Sequence, residues 1–150
     1  MATTERYTHG HHESVLRTHS WRTVDNSAAY LAPYLTPGLD VLDVGSGPGT
    51  ITLDIATRVR PGSVVGLDAS ADVCIQASTL ARDSDVLNVD FVAGDAYALD
   101  FPDDSFDIVH AHQVLQHVGD PVAVLREMRR VVKPGGIVAA RDVIYGAASW

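Results

Sequence analysis

Apolar residues in this chain follow two alternating patterns: short continuous runs, and stripes that recur at every third or fourth position. The runs Leu39–Val44, Ser63–Leu67, Val89–Ala93, Phe106–Ala111 and Ile137–Ala140 read as strands, because a strand covered on both faces needs apolar side chains at consecutive positions. Between them lie helical stripes. Ala28, Leu31, Ala32 and Leu35 predict a helix from Val24 to Leu35, ended by Thr36-Pro37-Gly38. Ile51, Ile55 and Val59 predict a second helix that stops at Arg60-Pro61-Gly62, and Ser70 is an N-cap for a third through about Arg82. Asp120-Pro121 opens a fourth, with a side-chain acceptor at the cap and then a residue that needs no donor. Leu125, Met128 and Val132 form its inner stripe and Pro134-Gly135-Gly136 ends it. Strands separated by helices imply right-handed crossovers and an α/β fold: a Rossmann-like parallel sheet with helices on both faces.

Composition narrows the class. A chain of 150 residues fits one domain, and 46% hydrophobic against 20% charged residues argues against disorder. The formal charge is −8, from 19 acids against 11 bases, and Lys133 is the only lysine. That field disfavours nucleic acid and anionic membrane as partners. Cys74 is the sole cysteine and cannot form an internal disulfide, which suits a reducing cytoplasm. The opening MATTERYTHGHHESV lacks the apolar core of a signal peptide, and no window approaches the roughly 18 apolar residues of a membrane span. The expectation is a soluble, cytoplasmic protein with a polar entry segment or lid over residues 1–23 and one domain over 24–150. His9, His11, His12 and His19 cluster in that entry segment, but no carboxylate or Cys joins them at ligand spacing, so no metal is expected.

Ligands of such sheets bind beyond the carboxyl ends of the strands, where strand order reverses. Four groups fall at those ends: Asp43 through Gly49, Asp68-Ala69, Gly94-Asp95-Ala96 and His112-Gln113. One glycine-rich turn alone would be only a tight connection. Four groups at the correct ends point to a site. The dinucleotide fingerprint G-x-G-x-x-G is not met, since Gly45, Gly47 and Gly49 alternate and Thr50 stands where its third glycine belongs. Asp43 would repel a phosphate at the mouth of the turn and would attract an ammonium or sulfonium cation. Asp68 suits a pair of ribose hydroxyls, a feature nicotinamide adenine dinucleotide would share. Asp43 with the alternate glycines disfavours a nicotinamide-dependent reductase.

With these motifs, residues 39–143 resemble the class I S-adenosylmethionine-dependent methyltransferases. LDVGSGPGT resembles the first motif and VVGLDAS the second; FVAGDAYALDFPDDSFDIVHA and LREMRRVVKPGGIV resemble the third and last. HQVLQHVGDP between them is similar to the small-molecule branch that includes the ubiquinone- and menaquinone-biosynthesis methyltransferases. The resemblance implies S-adenosyl-L-methionine as cofactor, with Gly45, Ser46 and Gly47 against its methionine part and Asp43 holding its amino group. It implies Asp68 at the ribose, Ala69 beside the adenine, Asp95 accepting from the adenine amino group and Ala96 donating a backbone amide, next to Gly94. His112 and Gln113 would line the floor near the sulfonium and the acceptor. Arg22, after Trp21 and before the first helix, is a partner for the methionine carboxylate. Plainer readings stand beside these: Asp95 as the cap of a turn, Asp43 as a structural acid, and His117 as a core-edge histidine as much as a base. Asp100, Asp103 and Asp104 read as a solvated turn, and Cys74 as an apolar filler.

The implied function is methyl transfer to a small-molecule acceptor by in-line displacement, with His112 and His117 as candidate bases for an acceptor that must lose a proton. The family continues beyond the fifth strand with a helix and two more strands, whereas this chain reaches Trp150 soon after it. The fold is therefore expected to be truncated there, with an apolar edge that a homo-oligomer would cover. The competing class is a cofactor-binding or dimerising module without catalysis, as a fragment or partner subunit.

Overall fold

Val41–Val44 (β1), Val64–Asp68 (β2), Val89–Ala93 (β3), Phe106–His112 (β4) and Val132–Arg141 (β5) pair in parallel throughout, in the order β3-β2-β1-β4-β5. The computed structural model describes residues 21–143; the four clustered histidines and most of the expected entry segment lie outside the described residues. Helices α1 (Val24–Ser27), α2 (Thr50–Val59), α3 (Ala71–Asp83) and α4 (Pro121–Val131), with 3-10 turns at Ala29–Tyr34 and Leu115–His117, are the other elements among the described residues. The chain steps outward from β1 to β2 to β3, then returns to pair β4 with the other side of β1. Strand order therefore reverses between β1 and β4, and the crevice lies at their carboxyl ends.

The two central strands feed two cores, which is why most of their positions are apolar. Val41 and Ile108 face one side of the sheet with Leu31, Leu35, Ile55 and Val59. Leu42, Val44, Val109 and Ala111 face the other side with Val124, Met128 and Val131 of α4. Ser70 caps α3 through its hydroxyl, which accepts from the Val73 amide, and Asp120 caps α4 by accepting from the Ala123 amide. Among the described residues no helix is long and apolar enough to cross a membrane.

Three elements differ from the sequence expectation. The first helix is only the short α1, followed by a 3-10 turn over Ala29–Tyr34. Pro33 lies within that segment and has no amide hydrogen to donate, so a regular α-helix cannot run through it. The inward positions are nonetheless those of the stripe, since Ala28, Leu31 and Leu35 are buried. The inner stripe of α4 is Val124, Met128 and Val131, displaced by one residue from the expected Leu125 and Val132. Val132 is already extended (φ −83°, ψ 141°) and begins β5, so the helical stripe ends one residue earlier. Finally, Pro134-Gly135-Gly136 lies inside β5 and not ahead of it: residues 133–136 face the single residue Asp107, and the strand bulges around Gly135 at φ +80°.

Core burial of Met128 carries a direct prediction. Met128→Ala removes a fully buried side chain between α4 and the sheet and is expected to lower the unfolding free energy by about 2–5 kcal/mol. Ile75→Ala, at a residue 65% exposed on α3, is expected to change it by less than about 0.5 kcal/mol. Urea unfolding of both variants measures the contrast, and equal effects would contradict this placement of the core.

Candidate functional site

The turn that follows β1 sets the shape of the site. The amides of Gly45 and Ser46 both donate to the carbonyl of Leu67 at the end of β2, at 2.6 and 3.0 Å. This folds the turn back across the sheet edge. Gly49 then starts α2 from the left-handed region at φ +92°, and a Cβ there would stand 2.8 Å from Phe91 and 3.1 Å from Ala77. It allows close packing of α2 on β3 and α3. Gly47 has a different reason to be glycine. Its φ is +54° and a Cβ would meet no protein atom within 4 Å, so its bare backbone faces open space.

Asp43, next to last in β1, has 3% of its surface exposed. Its Oδ2 accepts from the Thr52 hydroxyl of α2 at 2.7 Å, and its Oδ1 lies 2.8 Å from His110 Nδ1 of β4. Asp43 also lines the cavity, so its carboxylate is held by two elements at the edge of that space. That cavity, about 250 Å³, brings together Arg22, Asp43, Gly45, Ser46, Gly47, His112, Gln113 and His117 of the expected residues. Pro48, from within the expected Asp43–Gly49 group, lines it as well, as do Thr50, Ile51 and Val114, which the sequence did not single out as ligand contacts.

Asp68, Ala69, Gly94, Asp95 and Ala96 do not line that cavity; they sit beside it, where β2 and β3 end. Asp68 Oδ2 accepts from the Gly47 amide and Oδ1 from the Ser70 amide, both at 3.0 Å, which ties the two strand ends together. The Gly94 amide donates to the Asp68 carbonyl at 2.9 Å. Asp95 accepts from the Tyr97 amide at 2.8 Å, so it caps the turn as its plainer reading held. Behind this turn, Arg130 donates to the carbonyls of Leu99 and Phe101 and to Glu127 and Asp103, pinning residues 99–103 against α4. Asp103 is thereby an ion-pair partner as well as a turn residue.

The histidines differ in setting. His112 has its ordinary pKa of 6.5 lowered, first by burial and then by the positive charge of Arg22, with Arg141 adding to it. It is therefore neutral at pH 7 and adds no positive charge to the cavity. His117 is exposed, and its Nε2 stands 3.2 Å from Gln116 Nε2. Gln113 adopts φ +55° and donates its amide to the Arg141 carbonyl at 2.7 Å. Cys74 is buried with its thiol pKa raised, chiefly by burial and then by Asp68, as expected of a filler. His110 and Thr52 were missed in the sequence. The available signal was an ionisable residue inside the apolar run of β4, at the position that pairs with Asp43.

The donor set fits S-adenosyl-L-methionine on three counts. Gly47 offers bare backbone; the braced Asp43 offers an anionic acceptor; and Ser46 Oγ and His112 Nδ1 are buried without a hydrogen-bond partner among the described residues. Buried polar atoms of this kind at a cavity call for a polar ligand.

Comparison with known proteins points the same way. The family model described as "Methyltransferase domain" matches residues 35–147. An uncharacterized methyltransferase of Schizosaccharomyces pombe is 40% identical over 142 residues, covering 91% of this chain and 51% of that protein. Demethylmenaquinone methyltransferase of Listeria welshimeri is 41% identical over 106 residues, covering 70% of this chain and 45% of that protein. The crystal structure of an S-adenosylmethionine-dependent methyltransferase from Aquifex aeolicus superposes with a TM-score of 0.66 at 25% identity, over 71% of this chain and 58% of that one. The chain spans about half the length of the curated relatives it matches.

The lowered pKa of His112 has a signed consequence for stability. Unfolded, the imidazole takes up a proton as pH falls through 6.5; folded, it does so only at lower pH. Stability is thus lost as pH falls from 6.5 toward the folded value and is unaffected above it. His112→Gln is expected to remove that part of the acid-side loss. Denaturant unfolding between about pH 7.5 and 5 compares the two proteins, and parallel pH profiles would contradict the burial of His112.

Proposed function

This chain belongs to the methyltransferase-domain family, whose cofactor is S-adenosyl-L-methionine, and we propose that it serves methyl transfer from that cofactor to a small organic acceptor. The observation that carries the reading is the cavity where strand order reverses, with the braced carboxylate of Asp43 on one wall and the open backbone of Gly47 on another.

The cofactor supplies, when bound, a methyl group on a positively charged sulfur. The residues of this chain bind and orient. Asp43 accepts the ammonium group of the methionine part and the Gly45-Ser46-Gly47 turn lies along it, while Arg22 at the cavity rim meets the carboxylate. Asp68 has one acceptor position left on each oxygen after its two backbone bonds, and these serve the ribose hydroxyls. Asp95 and Ala96 serve the adenine edge, with Ala69 against its face. Holding two reactants in line is worth roughly 7–11 kcal/mol in favourable cases, so the pocket needs alignment more than chemistry of its own. His112, neutral at pH 7, adds no repulsion beside the sulfonium and is the group placed to accept a proton from an acceptor that must lose one. His117 lines the same cavity. The lone, buried Cys74 supports a reducing, cytoplasmic setting.

Calorimetric titration with S-adenosyl-L-methionine tests the binding. Heat of binding is expected, and folded protein that gives none at millimolar cofactor would overturn the reading. Asp68→Ala is expected to weaken binding by at least about tenfold, since a hydrogen bond to a charged group is worth about 1.5–3 kcal/mol. Equal affinity would remove Asp68 from the ribose. Transfer of a labelled methyl group to quinol, amine and carboxylate acceptor pools tests the activity, and cofactor binding without transfer to any pool would favour a non-catalytic module.

A further inference from the structure

The bonds to Asp43 come from two residues that the sequence gives no reason to connect with ligand binding. Thr52 reaches it from the first turns of α2, and His110 reaches it from the neighbouring strand, where residues 43 and 110 are partners in register. His110 is completely buried and is not part of the cavity lining. Its Nδ1 lies 2.8 Å from Asp43 Oδ1, while its Nε2 is buried with no hydrogen-bond partner among the described residues. Those surroundings favour the tautomer with the proton on Nδ1, where an acceptor waits, over the one with a proton on Nε2, where none does. Asp43 Oδ2 is meanwhile an acceptor from the Thr52 hydroxyl. Both carboxylate oxygens are therefore held by neighbouring elements, and each keeps a further acceptor position on a residue that lines the cavity.

We propose that His110 is a positioning residue for the cofactor: by donating through Nδ1 to Asp43, in concert with Thr52, it fixes the carboxylate that receives the ammonium group of the methionine part. The proposal rests on the cofactor reading above. It confines the effect of His110 to ligands that carry the amino-acid portion, because His110 touches the ligand only through Asp43. An unheld carboxylate would turn toward water or toward other donors, and the ammonium group would lose a pre-oriented partner.

The geometry of the side chain supplies the test. The amide nitrogen of Asn stands where Nδ1 of His stands along the chain, whereas that of Gln stands at the position of Nε2. His110→Asn therefore keeps the donor in place, His110→Gln moves it away, and His110→Leu removes it. Calorimetry on the full-length protein uses two probes: S-adenosylhomocysteine, which has the amino-acid portion, and 5′-methylthioadenosine, which lacks it. His110→Gln and His110→Leu are expected to weaken S-adenosylhomocysteine by about tenfold or more and to leave 5′-methylthioadenosine unchanged. His110→Asn is expected to stay within about threefold of the wild type for both. Should His110→Leu not fold, the contrast between the Asn and Gln variants decides the matter. Equal weakening of both probes, or an Asn variant that behaves like the Gln variant, would overturn the positioning role while leaving the cofactor reading intact. Wild-type protein that binds neither probe would overturn the cofactor reading and this one with it.

Discussion

A carboxylate buried at the carboxyl end of the central strand is the constraint around which this molecule is arranged. Asp43 stands between Leu42 and Val44, both buried, where an unpartnered charge costs several kcal/mol. Two bonds meet that cost, from Thr52 on α2 and His110 on β4. Each depends on the fold: the register of β1 and β4 sets residue 110 beside residue 43, and the turn through Gly49 brings α2 over the strand. A slip of one residue in that pairing would place Val109 or Ala111 beside it, apolar side chains that in the native register serve the opposite core, and leave the charge unmet.

The glycine turn and the strand ends divide the remaining work. Gly49 admits Phe91 and Ala77 and so closes the packing behind the site, while Gly47 keeps its front open. Asp68 links the two halves, because its carboxylate holds the Gly47 amide and the start of α3 at once. The cavity and the strand-end groups beside it are thus one continuous edge. Arg130 steadies the far end of that edge by gripping the carbonyls of Leu99 and Phe101.

Much of this was legible in the sequence, for a physical reason. Central parallel strands are covered on both faces, so their apolar runs located β1 and β4 to within two residues at each end. The caps Ser70 and Asp120 were legible because their side chains act on the next turn of their own helices. What stayed hidden depends on distant pairing or on a local veto. Pro33 breaks a stripe whose spacing is otherwise helical, and the bulge of β5 shows only when Asp107 is seen to face residues 133–136. The site divides in the same way. Asp43, Gly47 and Asp68 announce themselves by type and place, but His110 and Thr52 matter through strand register and helix docking, which one sequence does not display.

The central claim is that the braced carboxylate of Asp43 receives the cationic amino-acid end of the cofactor. A crystal structure of the full-length protein with S-adenosylhomocysteine tests it most directly. The account predicts the amino group at hydrogen-bond distance from Asp43, about 2.7–3.2 Å directly or through one water, with the Thr52 and His110 bonds retained. An amino-acid end lying elsewhere, with Asp43 bonded to Thr52 and His110 alone, would contradict it.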